Sequence, residues 1–225
     1  YQFSKWDPKN KNDKYINNPE AWEASQKSMK KILDKAKIKY VEAEGEAAFY
    51  GPKLDLQYKD VYGKEDTLIT IQIDFALPEK FNLKYLDKDG KEKSPMIIHR
   101  SSTGATERVI AYLLEKTQGN LPTWLNPIQT KVMNMNDDVK DYAIKINQKL
   151  QEAGIRTQLD SSNNSMGKKA RRAITEKVSY LVTVGEKEKA KKQVAIRARD
   201  SEKITTMDLD KFISKIKKEI ETKTK

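Results

Sequence analysis

The stretch that decides the fold is Pro95-Met96-Ile97-Ile98-His99-Arg100-Ser101-Ser102-Thr103-Gly104-Ala105-Thr106-Glu107-Arg108. Its first part is a short apolar run after a proline, which predicts a buried strand that ends near His99. Residues 101–104 predict a turn, in which Gly104 permits close approach of the backbone. Apolar residues at helical spacing then predict a helix with Arg108 in its first turns. This arrangement suits a phosphate, and the alternative is a core histidine and a solvated arginine.

The composition describes a basic, highly charged chain. It has 225 residues, of which 34% are charged and 37% hydrophobic, enough for one large or two small domains. The net charge of +11 suggests a polyanionic partner such as RNA, DNA or an acidic membrane surface. A surface that is generally rich in lysine is the alternative.

The chain has no cysteine, which excludes disulfides, thiol chemistry and a thiolate metal site. No apolar run approaches membrane-spanning length and no signal peptide is visible, so we expect a cytoplasmic protein with no membrane partner. The first residue is Tyr1, not methionine, and we interpret the chain as a piece of a longer one.

The first half of the chain predicts an α+β domain. Residues 1–17 lack periodicity and are predicted to be a loop, and residues 18–36 are predicted to be a helix. Alternating apolar residues then predict four or more strands joined by short turns, including strands at 45–52 and 81–86. This pattern favours an antiparallel sheet with flanking helices.

The second half predicts a separate α/β domain. A segment at 117–127 that contains one glycine and two prolines is interpreted as the joint, so we predict domains at 1–120 and 121–225. Strands alternate with helices after it, which favours a largely parallel sheet. Met207 is assigned with Leu209 to the apolar face of the last helix.

Several motifs together resemble one enzyme family. Gly104-Ala105-Thr106-Glu107-Arg108 after Ile98-His99-Arg100 resembles motif 3 of class II aminoacyl-tRNA synthetases. Gly45-Glu46-Ala47-Ala48-Phe49-Tyr50-Gly51-Pro52-Lys53 and Thr70-Ile71-Gln72-Ile73-Asp74-Phe75 narrow the resemblance to the threonyl-tRNA synthetase family. The resemblance covers nearly the whole chain. It implies a partial class II catalytic core, with a small α/β anticodon-binding domain after it.

The resemblance also implies an activity. It is the ATP-dependent activation of L-threonine to threonyl-adenylate, followed by transfer to the 3′ end of threonine tRNA, in a homodimer. Sites of this class stabilise charge on phosphates with arginine and Mg²⁺. We find neither motif 1 nor motif 2 before Gly45, so we expect this chain alone to be inactive.

His99 is the only histidine in the chain. The resemblance implies that it is one of three ligands of a Zn²⁺ ion, and that the others, a cysteine and a histidine, lie upstream of Tyr1. That zinc would bind the amino group and hydroxyl of threonine and so reject valine. The alternative is a structural histidine satisfied by hydrogen bonds.

The resemblance implies further site residues in the first domain. Arg108 would be the catalytic arginine that binds ATP phosphate and adenine, beside the turn at Gly104 and Ala105. Four residues would line the threonyl-adenylate pocket: Tyr50, Lys53, Thr70 and Gln72. The alternatives are packing residues and solvated polar groups, but the mixed polar face shared by Thr70, Gln72 and Asp74 favours a pocket.

In the second domain the resemblance implies contacts with tRNA. Asn163, Glu188 and Arg197 would read anticodon bases, since such side chains pair with base edges in unstacked loops. Four cations would contact the RNA backbone: Lys168, Lys169, Arg171 and Arg172. The alternative for this cluster is a solvated helix face.

Two other functions remain to be weighed. The first is a non-catalytic RNA-binding module with a degenerate synthetase fold, which would have no need of the motif 3 arginine and the pocket residues. The second is a nucleotide-binding enzyme of another class. It is disfavoured, because the chain has neither a GxGxxG motif nor a P-loop.

Overall fold

The computed structural model describes residues 1–9 and 14–224, which form two compact units, Tyr1–Glu115 and Lys116–Lys225. The division therefore falls after residue 115, whereas the sequence placed it after residue 120. Within the described residues, no helix combines the length and the apolar character needed to span a membrane.

Unit 1 is built on a five-stranded sheet with the strand order β2-β1-β3-β4-β7. Every neighbouring pair is antiparallel except β1 and β2, which run parallel. This confirms the predicted α+β class and adds one parallel pair to it. The elements are β1 (Gln2–Lys5), α1 (Pro19–Lys35), β2 (Val41–Glu44), β3 (Lys53–Lys59), β4 (Glu65–Asp74), α2 (Ala76–Lys80), β5 (Tyr85–Leu86), β6 (Glu92–Lys93), β7 (Ile97–Arg100) and α3 (Thr106–Thr117).

Helix α1 covers one face of this sheet. It begins where the side chain of Asn18 accepts a hydrogen bond from the Ala21 N–H at 3.1 Å, which satisfies one of the free donors of the first turn. Its buried residues Met29 and Leu33 pack on Phe3 and Leu54 of the sheet. Burying each side chain of this kind stabilises the fold by about 1.5–3 kcal/mol.

An aromatic cluster closes one end of unit 1. Trp22 is fully buried, and its ring stacks on Trp6 with centroids 5.4 Å apart and planes at 1°. Phe75 meets Trp22 edge-on at 5.0 Å, which is a favoured geometry for aromatic rings. Because Phe75 directly follows Asp74, the cluster fixes the end of β4.

The prediction of a loop at 1–17 is wrong for residues 2–5, which form β1 in the interior of the sheet. Backbone pairing on both sides and burial of Phe3 stabilise a strand whose four residues are too few to show an alternating pattern. Residues 10–13 of the predicted loop lie outside the described residues.

Two further strand predictions need correction. Residues 45–52 form turns with one isolated bridge between Ala48 and Gly51. Gly51 packs closely against β4, since a Cβ there would lie 1.8 Å from the Ile73 carbonyl oxygen. The strand predicted at 81–86 is limited to β5. Helix α2 comes before it, and begins where Asp74 accepts the first free N–H groups of the helix.

Unit 2 contains a second five-stranded sheet with the strand order β12-β11-β10-β8-β9. Strand β8 runs parallel to β9 and β10, whereas β11 is antiparallel to both of its neighbours. The sheet is therefore mixed, not largely parallel. Its elements are β8 (Thr130–Asn134), a 3₁₀ turn (Asp137–Val139), α4 (Lys140–Glu152), β9 (Thr157–Asp160), α5 (Met166–Thr175), β10 (Tyr180–Val184), α6 (Glu186–Lys191), β11 (Gln193–Ala198), β12 (Ile204–Asp208) and α7 (Leu209–Glu221).

The two faces of the unit 2 sheet are covered differently. Helices α4 and α7 cover one face, where Leu150, Phe212 and Ile216 belong to a large buried cluster with the strands. On the other face α5 packs against Met133 and Leu181. Strand β12 pairs with β11 and carries Met207, which was predicted to lie on the last helix. The pattern was misassigned because the strand is stabilised by hydrogen bonds to β11, which its own short sequence does not reveal.

Candidate functional site

One face of the unit 1 sheet gathers most of the predicted pocket residues. In the sheet register Lys53 lies opposite Gln72, Asp55 opposite Thr70, and Gln72 opposite His99. Directly opposed residues of antiparallel strands point to the same face. The structure therefore places these side chains in one polar group, which we call the polar face.

Hydrogen bonds link neighbours on the polar face. The Tyr50 hydroxyl donates to Gln72 Oε1 at 2.5 Å. The Lys53 ammonium donates to Asp55 Oδ2 at 2.7 Å, and the Thr70 hydroxyl donates to Asp55 Oδ1 at 2.8 Å. Asp55 is 1% exposed, so its charge is stabilised by partners rather than by water.

His99 is held by a second buried carboxylate. Its Nε2 lies 2.8 Å from Asp74 Oδ2, and Tyr50 is close to the ring, with centroids 5.9 Å apart. The other oxygen of Asp74 accepts the N–H groups of Ala76 and Leu77 at 2.9 Å each. Asp74 thus joins the start of α2 to the imidazole and fixes the orientation of the ring.

The Tyr50 hydroxyl remains protonated at neutral pH. Partial burial raises its pKa above the ordinary value of 10.0, and the negative charge of Asp74 raises it further, while the hydrogen bond to Gln72 acts in the opposite direction. A neutral phenol can donate a hydrogen bond to Gln72 and accept one from a bound molecule.

Motif 3 meets β4 at a different place. Gly104 adopts φ +64°, and a Cβ on it would lie 1.9 Å from the Leu68 carbonyl oxygen. The backbone of Gly104 therefore does make the close approach that the sequence predicted, and its partner is the backbone of β4. The exposed Ala105 provides the carbonyl that accepts the Val109 N–H at 3.1 Å, which begins α3.

Arg108 is engaged close to the start of β4. Its Nη1 donates to the Thr67 carbonyl oxygen at 2.6 Å and lies 3.4 Å from Asp66 Oδ1. At a rise of about 3.3 Å per residue, Thr67 and Gln72 are separated by about 16 Å along the strand. The structure therefore brings five predicted residues together and sets the arginine near the other end of β4.

Two residues of the polar face were not among the predicted site residues. Asp55 and Asp74 hold Lys53, Thr70 and His99 in place. The alternation of Leu54, Asp55 and Leu56 is the signal from which Asp55 could have been found, because it places the carboxylate on the same side as Thr70.

Unit 2 carries a cleft of about 480 Å³ on the face that α5 covers only in part. Glu188 and Arg197 both line it. The Glu188 carboxylate accepts the Gly185 N–H at 3.0 Å, and Arg197 Nε donates to the Ser201 carbonyl oxygen at 2.9 Å. Asn163 lies in the exposed segment before α5 and is not among the lining residues of this cleft.

The basic cluster on α5 divides into inward and outward side chains. Lys168 and Arg171 are exposed, and Arg172 is exposed but pairs with Glu176 at 2.9 Å. Lys169 is 2% exposed, and its ammonium donates to the Asn134 carbonyl and side-chain oxygens at 2.9 Å each. The prediction that Lys169 contacts the RNA backbone is therefore corrected, because its charge is used inside unit 2.

A metal site can be tested against the described residues. They contain no group of three or more histidine, cysteine, aspartate or glutamate residues able to hold a metal ion. His99, oriented by Asp74, resembles a metal ligand with its supporting carboxylate. The described part of the chain therefore fits one ligand of a zinc site and not the complete set.

The comparisons with known proteins agree with this arrangement. Residues 10–117 match the tRNA synthetase class II core domain (G, H, P, S and T). Residues 127–219 match the anticodon binding domain. A core of this class on unit 1 and an anticodon-binding fold on unit 2 define a class II aminoacyl-tRNA synthetase.

The chain belongs to the threonine–tRNA ligase family. It is 51% identical over 99% of its length to a threonine–tRNA ligase of Clostridium botulinum and 43% identical over 98% to one of Listeria monocytogenes. It covers 34% of each of those proteins, so it spans about a third of the curated relatives it matches.

A solved structure supports the fold assignment. It is described as the RNA binding domain of threonyl-tRNA synthetase from Cryptosporidium parvum, with a TM-score of 0.86 and 33% sequence identity. The match covers 96% of this chain and 54% of that one. The resemblance deduced from the sequence motifs is thereby confirmed at the level of family and fold.

Proposed function

We propose that this chain supplies two parts of a threonine–tRNA ligase: one wall of the site that forms threonyl-adenylate, and the module that reads the anticodon of threonine tRNA. The observation that carries the proposal is that one chain contains both the hydrogen-bonded polar face of unit 1 and the cleft of unit 2 that Glu188 and Arg197 line. The whole ligase would act on L-threonine, ATP and tRNA.

In unit 1 the polar face would bind the amino acid and its adenylate. Tyr50, Thr70 and Gln72 offer hydroxyl and amide groups for hydrogen bonds, and Lys53 offers a cation beside them. Arg108, fixed on the Thr67 carbonyl, would contribute a permanent charge to ATP phosphates near Gly104 and Ala105. The first four roles are supported by the chemistry of those side chains and by their shared polar face, and the role of Arg108 is supported by its place in motif 3.

A Zn²⁺ ion would use His99 as one ligand, through the ring nitrogen that Asp74 does not engage. Bound zinc supplies a Lewis acid that holds the threonine amino and hydroxyl groups. His99 and Asp74 would position it, and the remaining ligands would come from outside the described residues. Mg²⁺ would arrive with ATP, because the described residues offer no carboxylate cluster for it.

In unit 2, Glu188 and Arg197 suit the recognition of base edges, and Asn163 lies in the exposed segment before α5. The exposed cations Lys168 and Arg171 suit phosphates, which add affinity without sequence information. The net charge of +11 supports an RNA partner.

Binding of the threonine tRNA anticodon stem-loop tests the RNA part of the proposal. Arg197→Ala should weaken binding of this stem-loop roughly tenfold more than binding of an unrelated stem-loop, as expected for loss of a base contact. Lys168→Ala is the matched control, because loss of a phosphate contact should weaken both RNAs equally. Equal losses for both RNAs with Arg197→Ala would contradict base reading.

Catalysis is tested separately. Since the chain matches about a third of its relatives and carries only motif 3, we propose that it does not activate threonine by itself. Threonine-dependent exchange of pyrophosphate into ATP by the purified 225-residue chain would disprove this. A ligase that contains the chain should lose that exchange when Arg108 is replaced by alanine.

A further inference from the structure

Asp55 lies in the interior of the unit 1 sheet, with a strand on each side of it. It is opposite Gln2 of β1 and Thr70 of β4 in the register, and it is only 1% exposed. The Gln2 amide donates to the Ser4 hydroxyl at 3.2 Å. Within the described residues, the hydrogen bonds to the Asp55 side chain come from Lys53 and Thr70, one to each carboxylate oxygen. The buried charge therefore depends on these two partners.

The Asp55 carboxylate fixes the direction of the hydrogen bond at Thr70. An ionised carboxylate has no proton and can only accept hydrogen bonds. The Thr70 hydroxyl has a single proton, which it donates to Asp55 Oδ1 at 2.8 Å. Its oxygen can therefore only accept a hydrogen bond from a bound molecule. Without the carboxylate, the same hydroxyl would be free to rotate and to donate instead.

Asp55 also fixes the cation beside Thr70. The Lys53 ammonium donates one proton to Asp55 Oδ2 at 2.7 Å, which leaves two protons for other acceptors. The Lys53 side chain is 24% exposed and lies opposite Gln72. Because Gln72 Oε1 accepts the Tyr50 hydroxyl, its NH₂ group is left to donate. The polar face therefore offers donors at Lys53 and Gln72 and an acceptor at Thr70.

We infer that Asp55 is a positioning residue for the activation of the amino acid: it holds Thr70 as an acceptor and Lys53 as a fixed cation. The inference rests on the proposed function and extends it to a residue that acts through its neighbours. A bound molecule then places a hydrogen-bond donor at Thr70 and an acceptor, such as a carboxylate or phosphate oxygen, at Lys53 and Gln72. An amino acid joined to a nucleotide carries groups of both kinds.

Threonine-dependent exchange of pyrophosphate into ATP by a ligase that contains the chain provides the first test. Asp55→Asn keeps the size of the side chain but removes its charge, and its amide turns a donor toward either Lys53 or Thr70. The kcat/KM for threonine should fall by roughly tenfold to a hundredfold, because small misplacements of binding groups are costly. An unchanged kcat/KM would overturn the inference.

Strand β2 of the same sheet offers a matched control. The Glu42 carboxylate also holds two ammonium groups, those of Lys5 at 2.7 Å and of Lys30 at 2.9 Å. Glu42 lies opposite Phe3, which packs beneath α1, so its side chain is on the other face of the sheet. Glu42→Gln should leave kcat/KM unchanged. An equal loss with Glu42→Gln and Asp55→Asn would overturn the inference, because any paired carboxylate of the sheet would then have the same effect.

A double-mutant cycle distinguishes positioning from a purely structural role. Thr70→Val should lower kcat/KM by about threefold to tenfold, whereas Thr70→Ser should retain it, because serine keeps the hydroxyl. If Asp55 acts through Thr70, Asp55→Asn should cost less in the Thr70→Val background than in the unmodified ligase. Losses that simply multiply in the double mutant would overturn the inference.

Nuclear magnetic resonance of the unmodified 225-residue chain keeps the test independent of how Asp55→Asn folds. The Thr70 hydroxyl proton should be protected from exchange with water and show a nuclear Overhauser effect to the β protons of Asp55. A freely exchanging hydroxyl proton would overturn the fixed direction. If Asp55→Asn leaves pyrophosphate exchange intact while Arg108→Ala abolishes it, only the inference fails. A ligase without any threonine-dependent exchange of pyrophosphate would overturn the proposed function as well.

Discussion

The two units present polar sheet faces that are organised in different ways. In unit 1, buried carboxylates hold the side chains to one another: Asp55 is 1% exposed and Asp74 fully buried. In unit 2, Glu188 and Arg197 are held by backbone groups, and much of the cleft around them is apolar. The comparison contrasts polar side chains that are fixed to one another in unit 1 with a largely apolar cleft that has few polar groups in unit 2.

The hydrophobic cores of the two units also differ, and unit 2 has the larger one. The largest cluster of unit 2 contains 13 fully or nearly buried residues from strands and helices, whereas the clusters of unit 1 contain four and three. Helix α3 buries no side chain, and its Ile110 and Leu114 are 51% and 44% exposed. Because burial of apolar surface drives folding, we expect unit 2 to be the more stable.

Removing a core ring from unit 2 should have the largest effect and would sharpen this comparison. Phe212 is fully buried in the large cluster, so Phe212→Ala should cost about 3–5 kcal/mol of the free energy of unfolding of that unit. Ile110→Ala, on an exposed position of α3, should change stability by less than about 0.5 kcal/mol. Hydrogen exchange resolved by residue measures both. A comparable loss from Ile110→Ala would break the comparison.

The second-largest effect is expected from removing a buried carboxylate of unit 1. Asp74→Ala should cost unit 1 about 1–3 kcal/mol, because it leaves the N–H groups of buried Ala76 and partly buried Leu77 without an acceptor. The same change should free the His99 ring from its contact with Asp74 and alter its tautomer ratio. Because the chain has one histidine, a single pair of ring ¹⁵N signals reports this ratio. Asp74→Asn, which keeps an oxygen acceptor, is the control. A tautomer ratio unchanged in Asp74→Ala would show that Asp74 does not orient the ring.

The third-largest effect is expected from disturbing the backbone contact between motif 3 and β4. Gly104→Ala should destabilise unit 1 by about 1–3 kcal/mol, because the new Cβ meets the Leu68 carbonyl at 1.9 Å and φ is +64°. Gly63→Ala is a matched control, with φ +81° but nothing within 4 Å, and should cost about 1 kcal/mol. Urea unfolding followed by tryptophan fluorescence distinguishes them, and equal costs would exclude a steric role for Leu68.

The smallest effect concerns pH. Burial alone would raise the pKa of Glu176, but hydrogen bonds from Lys131 and Arg172 outweigh it and hold the pKa below the ordinary 4.5. The stabilisation is therefore present above about pH 4.5 and is lost as the pH falls through the lowered pKa of the folded state. Glu176→Gln should flatten the acid side of the unit 2 stability profile. An unchanged profile would show that this carboxylate contributes nothing to acid sensitivity.

The sequence predicts the polar face well and the basic helix less well. Lys53, Thr70, Gln72 and His99 come together because alternation and motif order both place them on neighbouring strands. Tyr50 lies in the turn before β3 and joins them through its hydrogen bond to Gln72. Arg108 contacts Asp66 and Thr67, and no pattern in the sequence indicates these partners.

The error at Lys169 has a physical explanation that was only partly visible in the sequence. Met166, Ala170 and Ala173 form the apolar stripe of α5, and Lys169 lies three residues after the first and four before the last, on the same side of the helix. A long side chain can bury its stem there, provided that its ammonium finds acceptors, and the oxygens of Asn134 supply them. Those acceptors lie thirty-five residues away and depend on how β8 packs, which helical spacing alone does not specify.

The stacked indoles of Trp6 and Trp22 provide a spectroscopic signal that is specific to unit 1. Two parallel chromophores at 5.4 Å couple their electronic transitions, so near-ultraviolet circular dichroism should carry a signed exciton band from this pair. Trp124, the remaining tryptophan, lies in the other unit and does not share it. Because Trp22 also touches Phe75, next to Asp74, that band would report optically on strain transmitted from a ligand at the imidazole.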